Sequence, residues 1–192
     1  MNNLWYNKIM AEIKYSITDQ LLLHLYNCMD YGFSYRAKKS FFILDKIPKW
    51  RAKIGSKDVQ EGIKSLRKSK FITKKLNYDG SIIISLTDKG RLRALNVSFR
   101  RLKNKKEDWD KRWRMVTFDI PNEFKKGRDA LRYRLKTAEF YEFQESLFLY
   151  PYDCEREIRD FIKLFKLENY VYFATIDYID SQEKIKVKFG LI

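Results

Sequence analysis

Catalytic chemistry has few places to reside in this chain of 192 residues. His24 is the single histidine and lies in LLLHLY, so a Ser-His-Asp or Cys-His arrangement would have only that base. Its leucine neighbours mark it as a half-buried packing residue. Cys28 and Cys154 stand far apart and outside any metal-ligand spacing, which reads as two reduced thiols. Seven glycines build no phosphate-cradling loop. Positive charge is the abundant resource: 40 Lys and Arg oppose 25 Asp and Glu, a formal net charge of +15. Its chemistry is the neutralisation of a polyanion. Apolar residues at 45% exclude a disordered polycation, and no run reaches the roughly 18–20 apolar residues of a membrane span. No charged and then apolar leader precedes the chain's first segment, so a cytoplasmic protein is expected.

The charge is ordered where SKDVQEGIKSLRKSK begins at Ser56. At 100° per residue, Val59, Ile63 and Leu66 fall within about 60° of arc. Lys57, Lys64 and Lys68 cluster on the opposite side, flanked by Gln60 and Arg67. Ser56 is placed to accept from the free N–H groups of the first turn. Two strands are expected next, over 71–76 and 81–86, joined by Asn77-Tyr78-Asp79-Gly80, whose Asn and Gly tolerate the positive φ of a tight hairpin. Lys74 and Lys75 lie in its first strand and Tyr78 at its tip.

Upstream, ITDQLLLHLYNCMDYG carries Leu21, Leu22, Leu25 and Met29 at helical spacing, with Ser16 or Thr18 as cap and Gly32 as stop. A weaker helix is expected over 35–45, ended by Pro48. Downstream, Thr87 caps a short helix, TDKGRLRAL. The order helix, helix, helix, hairpin, helix over 16–95 resembles a winged helix-turn-helix. Such a module lays its third helix in a major groove about 12 Å wide, with base edges in reach of the polar face. Ser56, Lys57, Gln60, Lys64, Arg67, Lys68, Lys74, Lys75 and Tyr78 are therefore the candidate DNA-binding residues.

The rest of the chain has a different balance. Residues 1–95 hold 19 basic and 8 acidic side chains, residues 96–112 hold 7 and 3, and residues 113–192 hold 14 of each. The expected division is a DNA-binding domain over 1–95, a basic exposed connector over 96–112 and a neutral domain over 113–192. In the last, strands are expected over 113–120, 140–144, 146–150, 170–178 and 184–189, with helices over 123–138 and 154–165. This βαββαβ order with an extra C-terminal strand describes a ferredoxin-like fold, making the whole chain α+β. The aromatic run FYEFQESLFLYPY is assigned to core or dimer interface.

WDKRWRMVTFDIP, Arg128, LRYRL and FQESLFLYPYDCE resemble the central domain of the phenylacetate-repressor (PaaX) family of transcriptional regulators. That domain is itself similar to the small dimeric subunit of the CRISPR adaptation machinery. Glu139 stands where the family usually has Gly, so that helix is expected to end without a left-handed stop. The phenylacetate repressors continue into a further domain beyond the position of Ile192, so their acyl-coenzyme A effector is not carried over. The resemblance implies a regulator, expected to be a repressor, that binds double-stranded DNA as a homodimer without enzymatic activity, metal or cofactor. The alternative it implies is a metal-dependent nuclease or DNA-integration scaffold. In that case Asp119 matches the aspartate at the end of the first strand that meets its dimer mate over a divalent cation such as Mg2+. The competing expectation is that Asp119 caps the following helix, with Pro121 near its first turn.

Overall fold

The computed structural model describes residues 15–29, 56–76, 78, 82–103, 105 and 108–191. The helix expected over 35–45, the Cys28 and Met29 side chains and the Asn77, Asp79 and Gly80 turn lie outside the described residues. Helix and sheet are mixed, as an α+β chain requires. The chain divides into two compact units, Met1–Val97 and Ser98–Ile192.

In the first unit, α1 (Ile17–Met29) and α2 (Ser56–Lys68) pack together, and an antiparallel hairpin of β1 (Ile72–Leu76) and β2 (Ile82–Leu86) follows. The Ser16 hydroxyl accepts the Asp19 N–H at 3.2 Å, which makes it the cap of α1. Leu21, Leu22, Leu23 and Tyr26 of α1 are buried with Val59 and Leu66 of α2, Ile72 and Leu86 of the hairpin, and Ala94, Leu95 and Val97. His24 is half-buried, in keeping with its leucine neighbours. Ala94, Leu95 and Val97 belong to α3 (Asp88–Leu102), much longer than the short helix expected from TDKGRLRAL. Residues 96–102 are thus helical, with Val97, Phe99 and Leu102 buried, and differ from the exposed connector expected there. Their apolar positions hide among arginines, so the charged composition dominates the local pattern.

The second unit runs β3 (Trp113–Phe118), a 3-10 turn (Asn122–Phe124), α4 (Lys125–Thr137), β4 (Tyr141–Gln144), β5 (Leu147–Tyr150), α5 (Glu155–Phe165), β6 (Val171–Ile176) and α6 (Gln182–Phe189). The four strands form one antiparallel sheet in the order β4-β5-β3-β6. Val116, Phe118, Phe148 and Tyr150 join Leu131, Leu135, Ile158 and Phe161 in its buried apolar set. Trp113 and Leu149 point from the other face and are sealed by Ile185 of α6.

That last helix corrects the extra C-terminal strand expected over 184–189. The alternation in Ile185-Lys-Val-Lys-Phe189 imitates a strand, but Ile185 is buried and Phe189 approaches Trp113 (ring centroids 6.4 Å) while Val187 stays exposed. This is i, i+4 spacing. Gly190, at φ 64, ends the helix: its N–H donates to Val187 O and the Leu191 N–H to Lys186 O.

The same stop recurs without glycine. Lys70, Glu139 and Lys166 all have φ between 54 and 63, and each following N–H reaches back across the turn: Phe71 to Leu66 O, Phe140 to Leu135 O, Leu167 to Ile162 O. Glu139 therefore adopts the left-handed stop that its side chain was expected to forbid. A non-glycine residue there costs roughly 1–2 kcal/mol.

Between α3 and β3, WDKRWR folds on itself. The Arg114 guanidinium donates to both oxygens of Asp110 at 2.6 and 2.7 Å, and also to Arg112 O and Pro151 O. The Arg114 bond holds the Asp110 carboxyl below its ordinary value of 3.8.

Two outcomes follow from these contacts. Glu139→Gly should raise stability by about 0.5–1 kcal/mol, read as a higher urea midpoint at unchanged slope, because the exposed Lys103–Glu139 pair it removes is worth only a few tenths. Because the Asp110 value is lowered on folding, its contribution is complete above the unfolded value and disappears as pH falls through the folded one. The stability gap between wild type and Asp110→Asn, followed by denaturation at several pH values, should be constant near neutrality and shrink below about pH 4.

Candidate nucleic-acid interface

Helix α2 presents its charge because its other side is committed. Val59 and Leu66 are buried, Ile63 is half-buried, and a Cβ on Gly62 would fall 2.7 Å from Leu21 Cδ1 and 3.3 Å from Ile17 Cγ2. With that ridge against α1, Lys57, Gln60, Lys64, Arg67 and Lys68 are all exposed. Ser56 opens the helix, and its side chain lies outside the described atoms.

The hairpin is fixed to the end of α2 by a compact set of bonds. The Lys70 turn delivers the chain into β1, and the Thr87 hydroxyl donates to Lys70 O at 2.8 Å. Thr87 N–H donates to Phe71 O at 3.0 Å, and Thr87 Oγ1 accepts the Gly90 N–H at 3.0 Å, capping α3. Gly90 is needed here: a Cβ would stand 1.9 Å from Phe71 O. Lys74 and Lys75 of β1 are exposed, opposite Ile84 and Ile83, and as consecutive strand residues they project to the two faces of the hairpin. Tyr78 is fully exposed. Two further exposed lysines escaped the sequence reading. Lys70 sits in the helix stop, and Lys89 donates to Ser69 O at 3.3 Å while lying 5.0 Å from the Phe71 ring centroid. Their signal was positional, at the junctions of elements rather than on a periodic face.

Asp119 occupies a different setting. It is exposed just beyond β3, and its N–H donates to Tyr170 O at 2.9 Å. It borders a cavity of about 260 Å³ with Arg128, Arg132, Glu145 and Ser146. Arg128 donates to Ile120 O at 3.1 Å and Arg132 to Glu145 O at 3.0 Å. Two guanidiniums and the Asp119 and Glu145 carboxylates line this cavity, and Arg132 lies 3.9 Å from Glu145. Among the described residues no group of three or more His, Cys, Asp or Glu gathers to hold a metal, so this donor set does not fit one within a single chain. The helix-capping expectation also fails: the 3-10 turn opens at Pro121 with no side-chain cap, and Pro121 O accepts the Phe124 N–H instead. Cys154 is buried, and burial pushes its thiol up, away from a reactive thiolate. No helix among the described residues is long and apolar enough to cross a membrane.

Since the exposed lysines depend on the α3–hairpin junction, Gly90→Ala should cost roughly 3 kcal/mol in chemical denaturation, the range of an overpacked site against backbone. Lys89→Ala, at an exposed position, should cost well under 1 kcal/mol.

No curated protein and no solved structure matches the chain. Residues 106–187, which include the whole four-stranded sheet, match the family model of the PaaX protein central Cas2-like domain, so the chain is similar to the PaaX family in its second unit.

Proposed function

We propose that the chain is a PaaX-like transcriptional regulator, acting as a repressor, that grips duplex DNA through its first unit and pairs with a second copy through its second. On this reading α1, α2 and the hairpin belong to a winged helix, with α2 in the major groove and the β1–β2 hairpin as the wing. The ferredoxin-like unit, in βαββαβ order, is the pairing module. The observation that carries the reading is the exposed set Lys57, Gln60, Lys64, Arg67 and Lys68, backed by a buried Val59–Leu66 ridge and followed by a lysine-bearing hairpin.

The physical roles differ along this surface. Lys57, Lys64 and Lys68 neutralise phosphates, and Arg67 and Gln60 are of the types that form paired bonds with guanine and adenine edges. Lys74, Lys75 and Tyr78 reach the flanking backbone or minor groove. Within the second unit the excess positive charge lies in residues 98–112, with 7 basic and 3 acidic side chains, and residues 113–192 carry 14 of each. A dimer would offer two recognition helices to half-sites one or more turns apart.

The triple variant Lys57→Glu, Lys64→Glu, Lys68→Glu should lose roughly 100-fold or more in duplex affinity with an unchanged circular dichroism spectrum, because all three positions are exposed. The logarithm of wild-type affinity should fall linearly with log salt, by a slope of about 0.9 per phosphate contacted. Asp119→Asn should bind as wild type. Magnesium-dependent cleavage of nucleic acid that Asp119→Asn abolishes would overturn the regulator reading in favour of a nuclease.

A further inference from the structure

The end of the sheet away from Asp119 holds a larger cavity, of about 690 Å³. The register of Trp113 with Ile176 and of Arg114 with Tyr150 brings the start of β3 beside the ends of β5 and β6. The walls therefore come from the segment before β3 (Asp108, Trp109 and Lys111), from Tyr152 after β5, from Asp177 after β6 and from α6. All of these lie in the second unit. The volume falls within the roughly 300–1,000 Å³ of small-molecule sites. Bonds fix the shape of the segment before β3. Trp109 Nε1 donates to Arg112 O at 2.9 Å, its ring meets that of Trp113 at a centroid distance of 4.9 Å, and Arg114 clasps Asp110. Lys111 sits between these anchors at φ 63, a left-handed backbone that a lysine disfavours, and unlike Lys70, Glu139 and Lys166 it ends no helix.

The cavity is lined by charges of both signs, and pairing elsewhere engages half of them. Arg112 takes Asp177 at 3.2 Å, and Glu183 takes Lys186 at 2.8 Å. Among the described residues no ion pair or hydrogen bond engages the Asp108 carboxylate or the Lys111 ammonium. The Gln182 carbonyl accepts Trp113 Nε1–H at 3.3 Å, which leaves its amide N–H groups to donate. What remains is one carboxylate, one ammonium and one amide donor beside an apolar wall of Trp109, Tyr152 and Leu191. A polyanion would meet two carboxylates and only one free cation there. A divalent cation would face two lysines, and a purely apolar molecule would leave both free charges unmatched.

We propose that this cavity binds a free α-amino acid with an aromatic side chain. Its carboxylate meets Lys111 and the Gln182 amide, its ammonium meets Asp108, and its ring lies against Trp109, Tyr152 and Leu191. Such a ligand is neutral overall, as the cavity is, and each of its charged groups finds one free group of opposite sign. The ring supplies apolar burial, and the two ion pairs select the zwitterion over a plain acid or amine. The inference stands apart from the DNA reading, because no residue of the first unit takes part.

Isothermal titration of the full chain, without DNA, tests it. The titrants are L-phenylalanine and L-tryptophan, each beside its analogue without the carboxylate (phenethylamine, tryptamine) and without the ammonium (phenylpropionate, indolepropionate). At least one of the two amino acids should bind saturably at one site per chain, with its analogues and alanine roughly 10-fold or more weaker. Lys111→Asn, where asparagine tolerates the left-handed backbone, and Asp108→Asn should each weaken the amino acid by roughly the same factor of 10. Both positions are exposed, so an unchanged circular dichroism spectrum should accompany the loss. The charge assignment has its own signature, which a merely structural role would not produce. In Lys111→Asn the amine analogue should bind as well as the amino acid, and in Asp108→Asn the acid analogue should. No saturable binding of either amino acid at millimolar concentration overturns the proposal. So does a wild type that takes the acid or amine analogue equally well, or binding that both variants leave unchanged.

Discussion

What α2 shows to solvent is decided by what it hides. Its contact with α1 has little freedom: Val59 and Leu66 are buried, and the helices come so close at Gly62 that a methyl group would meet Leu21 and Ile17. Rotating α2 by one residue, about 100°, would bury charge and expose the ridge. A buried unpaired lysine costs several kcal/mol, so the rotation is strongly opposed. The outward set of Lys57, Gln60, Lys64, Arg67 and Lys68 is therefore a consequence of packing. The Arg93–Asp19 pair at 2.9 Å adds to that constraint by tying α3 to the buried start of α1.

The elements that follow depend on sharp, bonded stops. Lys70 turns α2 directly into β1, and Thr87 then ties the far end of the hairpin to the same turn. In the second unit, Glu139 delivers α4 into β4, Lys166 ends α5 before β6, and Gly190 closes α6. Three of these four left-handed stops use residues that disfavour the conformation. The bonds across each stop, together with burial of the residues that follow, outweigh a local cost of roughly 1–2 kcal/mol. A chain with seven glycines has few to place at such sites.

Much of this organisation was legible in the residues. The period of 3.6 in SKDVQEGIKSLRKSK located α2 and its faces, and the strand expected over 113–120 is β3, in which Val116 and Phe118 are buried. The βαββαβ order and the resemblance of the WDKRWRMVTFDIP region survive in the sheet and in the family match over 106–187. Three features were not legible, each because tertiary context overrode a local pattern. Ile185-Lys-Val-Lys-Phe189 alternates like a strand yet is a helix, since the open face around Trp113 and Leu149 needs a cover. Residues 96–102 read as a charged connector, while Phe99 meets Phe161 and the Tyr150 hydroxyl donates to Leu102 O. Asp119 could be placed at a strand end, but the arginines that share its cavity come from a helix later in the chain.

On the proposed reading, DNA meets the outward side of α2 and the hairpin rather than the sheet unit. Backbone amide shifts of the full chain, recorded while duplex DNA is added, test it residue by residue. Lys57, Gln60, Lys64, Lys68 and Lys74 should move in proportion to bound duplex while Asp119, Arg128 and Arg132 stay in place. Shifts concentrated around Asp119, Arg128 and Arg132, with α2 unmoved, would contradict it.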